Sequence, residues 1–162
     1  MSHPFRNFLI LALCLGACVA PQSTPVSIDS PGGFDAQHYD LKIELDPSRG
    51  HLNGNVRVLF RATADLQELK LHAAGMQILA VNTQAGPSEK AQAVGGVLAI
   101  PLGQTINAGA ESWVEIHYQC QPLAGLHFVN PREKGLDHVP HVFTQGEAER
   151  ARWWFPCHDI PA

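Results

Sequence analysis

The stretch Tyr39-Asp40-Leu41-Lys42-Ile43-Glu44-Leu45-Asp46-Pro47-Ser48-Arg49-Gly50-His51-Leu52-Asn53-Gly54-Asn55-Val56-Arg57-Val58-Leu59-Phe60 decides the fold class. Tyr39, Leu41, Ile43 and Leu45 alternate with Asp40, Lys42, Glu44 and Asp46. Successive side chains of a strand point to opposite faces, so this alternation predicts a strand with one buried and one wet face. Asp46 to Gly50 carries the residues of a tight turn. Beyond it Leu52, Gly54, Val56, Val58 and Phe60 share one face, with Asn53, Asn55 and Arg57 on the other. Two alternating runs joined by a short turn predict an antiparallel hairpin.

Outward from the hairpin the same grammar continues. Leu66, Leu69 and Leu71 mark a weaker strand, and Ile78 to Thr83 another. Ala85 to Gly96 reads as a polar loop, followed by a short apolar strand from Val97 to Leu102 that Pro101 pushes toward a sheet edge. After the turn at Asn107 to Ala110, Val114, Ile116, Tyr118 and Cys120 line one face of a further strand. Gly125 to Val129 is the next, closed by Asn130-Pro131, and His141 to Thr144 is the last. A single helical turn is expected at Glu147 to Arg152. Short strands separated by turn signals predict an all-β fold, an antiparallel β-sandwich or saddle-like domain.

The totals agree. The chain has 162 residues, enough for one core, and 45% hydrophobic content, ordinary for a folded domain. Val, Ile, Thr, Gly and Pro are spread along it, which favours strands and turns over helices. A formal charge of -4 and the absence of any Lys/Arg run argue against nucleic acid as a partner.

Residues 1–17 read as an export signal, with Arg6 ahead of an apolar run from Phe8 to Leu15 that is too short to span a bilayer. Leu15-Gly16-Ala17-Cys18 resembles a bacterial lipoprotein box, which would place a lipid on Cys18. Cleavage after Ala17 or Ala20 as an ordinary secretory signal is the other reading. Val19 after the Cys implies, through that resemblance, sorting to an outer membrane rather than retention; a periplasmic location follows from the other reading. Residues 18–33 are rich in Pro, Ser and Gly and read as a flexible tether, leaving 34–162 as the domain. Cys120 and Cys157 remain in an oxidising compartment, either paired or as two buried thiols.

The chain closes on Phe143-Thr144-Gln145-Gly146-Glu147-Ala148-Glu149-Arg150-Ala151-Arg152-Trp153-Trp154-Phe155-Pro156-Cys157-His158-Asp159-Ile160-Pro161-Ala162. This resembles the segment that ends the N-terminal domain of aminopeptidase N-type (gluzincin) zinc metallopeptidases, with its Thr-Gln-x-Glu, Ala-Arg and Phe-Pro-Cys-x-Asp-x-Pro pieces. Ile160 stands where the family usually has Glu. Tyr39 to Ile43, Gly54 to Ala62, Leu69 to Ala73, Ile116 to Tyr118 and Gly125 to Phe128 resemble family strands in the same order. Cys120 departs from the family's usual Gly, and Gly125 to Pro131 and Trp153 to Phe155 lean toward the branch that includes the transcription-factor relative of these peptidases.

The resemblance implies that Gln145 and Glu147 hold the α-amine of a substrate peptide. Judged from residues alone, Glu147 equally suits the start of a helical turn. It also implies that zinc and the hydrolytic residues belong to a catalytic domain absent from this chain. No H-E-x-x-H, Gly-x-Met-Glu-Asn, Ser-His-Asp signature or phosphate loop occurs here. The chain alone is therefore expected to be catalytically silent. Asp159 is the expected partner of a buried Arg, Arg150 or Arg152. His138-Val139-Pro140-His141, with His127 and His158, invites a metal reading. Pro140 breaks any shared helix, and the histidines read as surface residues, His72 and His117 as surface or seam residues within strands; no metal ligands are assigned. Trp153, Trp154 and Phe155 read as an apolar surface made to be covered. Two further readings are a stand-alone β-sandwich lipoprotein that binds a peptide or protein partner, and a periplasmic metal-binding module built on the histidines.

Overall fold

A computed structural model describes residues 32–129 and 141–160. The expected signal, Cys18 and all but the last two residues of the tether lie outside the described residues, as do Asn130-Pro131 and His138 to Pro140.

The architecture is antiparallel β throughout, with strands β1 (Phe34–Asp46), β2 (His51–Ala62), β3 (Leu66–His72), β4 (Met76–Thr83), β5 (Gly86–Pro87), β6 (Gln92–Val94), β7 (Val97–Ile106), β8 (Glu111–Cys120), β9 (Leu126–Val129) and β10 (His141–Thr144). They form a five-stranded sheet ordered β1-β2-β8-β4-β5, a three-stranded sheet β3-β7-β6 and a two-stranded ribbon β10-β9. Helical structure among the described residues is one 3-10 turn, Ala151–Trp153, shorter than the helical turn expected at 147–152. Glu149 adopts φ +58, which stops an α-helix from running through the segment.

The alternation places the core. Val56, Val58 and Phe60 of β2 face Val114, Ile116 and Tyr118 of β8, all fully buried. Leu69 and Leu71 of β3 and Leu98, Ile100 and Leu102 of β7 complete one continuous cluster between the sheets. Gly54 has a packing role: a Cβ there would stand 2.2 Å from Cζ of Tyr118, so the tyrosine ring lies where the missing side chain would be. The Tyr118 hydroxyl is buried without a hydrogen-bond partner, and burial pushes its pKa well up.

The two faces of β1 are less distinct than its pattern predicts. Tyr39 and Leu41 are half-buried, but Ile43 and Leu45 are 37% and 38% exposed. Among the described residues β1 is an edge strand, and no neighbouring strand there covers its far end. Pro101 also behaves differently from expectation. β7 is the middle strand of its sheet, but β6 pairs only with Val97 to Ala99, so β7 is unpaired on that side at Pro101. The proline's missing N–H therefore costs no ladder bond there.

Candidate functional site

The ribbon β9–β10 pairs Leu126 with Thr144 and His127 with Phe143. One residue beyond, the N–H of Gln145 donates to the carbonyl of Gly125 at 2.8 Å, which fixes where the chain leaves the ribbon. Gly125 has φ +78, and a Cβ on it would stand 2.1 Å from the Arg150 carbonyl oxygen and 2.8 Å from the Trp154 ring. The turn after Gln145 can fold back onto the ribbon because position 125 has no side chain. The turn closes with the Arg150 N–H donating to the Gly146 carbonyl at 3.1 Å.

Gln145 and Glu147 both sit exposed on this turn, so the structure brings them to one short segment. Their surroundings differ. Arg150 Nη1 donates to Gln145 Oε1 at 3.0 Å, so a guanidinium already occupies the amide oxygen. Glu147 has no ion pair among the described residues. The Arg150 contact is not visible in the sequence, because the two residues meet only when the turn folds with Glu149 in the left-handed region.

The segment behind the turn is clasped onto both sheets. Arg152 Nε donates to Asp159 Oδ2 at 3.0 Å, Nη2 to the Asp159 carbonyl at 2.6 Å, and Nη2 to Glu149 Oε2 at 3.0 Å. Arg152, rather than Arg150, is thus the arginine that Asp159 satisfies. His72 and Cys157 exchange backbone hydrogen bonds of 2.8 and 3.0 Å at the end of β3. The His158 N–H donates to the Tyr39 hydroxyl of β1 at 3.0 Å. Trp153, Trp154 and Phe155 are half-buried rather than laid open, because the clasp turns them inward. Phe155 meets Tyr39 edge-on at 5.8 Å, and Trp153 lies over Gly75.

His72 is buried at 2% exposure, at the seam rather than on the surface. Cys120 and Cys157 are free and buried. Burial pushes the Cys120 thiol up to about 11 and the Cys157 thiol further up, so neither is a reactive thiolate near neutral pH. His127 stacks on Phe143 at 4.9 Å on the ribbon. Among the described residues no group of three or more His, Cys, Asp or Glu is arranged to hold a metal ion.

Two antiparallel sheets, a two-stranded ribbon and a clasped end define an all-β domain. The sequence pattern of the peptidase M1 N-terminal domain matches residues 35–162, and the chain belongs to that family as its N-terminal domain. It is 26% identical over 151 residues to leucine aminopeptidase 2 of Aspergillus niger, a match covering 88% of this chain and 24% of the enzyme. A shorter stretch of 41 residues is 46% identical to transcription initiation factor TFIID subunit 2 of Danio rerio, covering 24% of this chain and 3% of that subunit. The fold superposes on the M1 zinc metallopeptidase from Deinococcus radiodurans with a TM-score of 0.65 and 22% identity, over 80% of this chain and 30% of that one. The chain spans about a quarter of the length of the leucine aminopeptidase 2 relatives it matches.

Proposed function

We propose that this domain anchors the free α-amine of a peptide in a zinc aminopeptidase that removes residues from peptide N-termini, through Glu147 and Gln145. The observation that carries the reading is the exposed turn on the β9–β10 ribbon, which holds a carboxylate with no ion-pair partner among the described residues two positions from an amide oxygen. An ammonium at the mouth of a partly dry site needs a compensating charge and further acceptors, and these two side chains supply both. The preference for chain ends follows, since an internal peptide bond offers no ammonium. Zinc and the hydrolytic groups belong to a catalytic domain, and this chain by itself does not hydrolyse peptides.

The test is Glu147→Gln in the peptidase that carries this domain. A charge-assisted hydrogen bond contributes about 1.5–3 kcal/mol, so kcat/KM for free-amine peptides should fall roughly 10- to 100-fold. An unchanged kcat/KM would remove Glu147 from the amine site.

The proposal extends to location. The leader pattern supports export, with a lipid on Cys18 holding the protein at the bacterial outer membrane. Labelled fatty acid should enter the wild-type protein and fail to enter Cys18→Ala; equal labelling of both rules out that anchor.

A further inference from the structure

We propose that the closing segment is an acid-releasable clasp, held shut by His72 in its neutral form with the proton on Nε2. The Asp159 N–H donates to His72 Nδ1 at 3.1 Å. A backbone N–H can only donate, so the closed clasp requires a lone pair on Nδ1. Protonating that nitrogen turns an acceptor into a second donor aimed at the first. The hydrogen bond then becomes a repulsive contact at a side chain that is only 2% exposed.

The rest of the seam converges on the same residue. Besides the paired backbone bonds between His72 and Cys157, the Ala74 N–H donates to the Arg152 carbonyl at 2.8 Å. Among the described residues, the charged and titratable groups that act on the imidazole are the Arg152 guanidinium, the Asp159 and Glu149 carboxylates and the His158 ring, with Cys157 as the bridge partner of its backbone. The two carboxylates favour a charged imidazole, but both already bond to Arg152. Toward β7 the ladder partner is Val97, which brings no charge. Toward β1, His158 packs on Phe34 at 5.0 Å and its main chain bonds Tyr39. Burial first, and Arg152 second, lower the proton affinity of His72 below its ordinary value of 6.5.

The direction follows. Above about pH 6.5 both open and closed forms leave His72 neutral, and the clasp has its full stability. As the pH falls below that, the open form takes up the proton first, and the clasp weakens down to the lowered value of the closed form. Over that window the ratio of closed to open seam declines by up to about tenfold per pH unit. The Gln145 to Arg150 turn lies between the ribbon and this clasp, so release removes one of its two supports. The inference rests on the seam and is independent of what Gln145 and Glu147 bind.

The test is amide hydrogen exchange on the full chain between about pH 7.5 and about pH 5.5, corrected for intrinsic exchange, with the His72 tautomer read by nitrogen NMR. The expected result is the Nε2–H tautomer at the upper pH and a falling protection of the Cys157 and Asp159 amides as pH drops. Val56 and Ile116, in the centre of the large sheet, should keep theirs. His72→Asn presents an amide oxygen where Nδ1 stood and should make the protection independent of pH. His158→Asn should leave the wild-type dependence intact. Flat protection in the wild type, an Nδ1–H tautomer, or a dependence that follows His158 rather than His72 overturns the proposal. If His72→Asn fails to fold, the wild-type tautomer and exchange decide alone.

Discussion

At the scale of single residues, what distinguishes Gln145 from Glu147 is that one is already engaged. Arg150 donates to the Gln145 oxygen, and under the proposed function an incoming ammonium would have to share or displace it. The pair is exposed, so its contribution is of order 0.2–1 kcal/mol. Arg150→Ala should therefore lower KM for free-amine peptides by up to about fivefold and leave N-acetylated competitors unaffected. A raised KM would mean that the guanidinium holds the amide in its working orientation. Arg152 is a different kind of arginine. Its pair with Asp159 is shielded, with side-chain exposures of 14% and 13%. Asp159→Ala leaves a guanidinium without its main partner and should cost about 3 kcal/mol, read from denaturant unfolding. That one of the two arginines needs Asp159 is legible in the sequence, because a shielded Arg requires a carboxylate. Which one, and that the other turns to Gln145, depends on the left-handed Glu149, a conformation its side chain does not announce.

At the scale of elements, the strands that were legible are those with two different faces. β2 and β8 sit in the middle of the large sheet, and their period-two patterns translate directly into buried and exposed positions. Legibility fails where a pattern meets an edge. Ile43 and Leu45 follow the same alternation as Leu41, yet lie at the uncovered end of β1. It fails again where a strand is a few residues long, as in β5 and β6, inside what reads as a polar loop. Gly54 is the instructive case within a legible strand, because its place on the core face looks like a gap in the pattern and is instead filled by Tyr118. Gly54→Ala should destabilise the domain by about 1–3 kcal/mol through overpacking, measured by thermal melting. A neutral result would show that the ring moves aside freely.

At the scale of the whole molecule, the saddle of two sheets and a ribbon matches a piece about a quarter of the size of its leucine aminopeptidase 2 relatives. The proposed function predicts that the product in source cells is several times larger than 17.6 kDa, which an immunoblot against this domain would reveal. A band near that mass would instead turn attention to a binding role for the domain on its own. The clasp carries a further consequence, for the order in which the molecule assembles. It joins residues near 155 to Tyr39 and His72, contacts that span most of the domain. Closing so long a loop before either sheet exists has no compensating contact, whereas the β1–β2 hairpin is local. The end of the chain therefore docks late, after the rate-limiting barrier. Substitutions such as Asp159→Ala should speed unfolding while leaving the folding rate near that of the wild type, and a slowed folding limb in stopped-flow measurements would place the docking early instead.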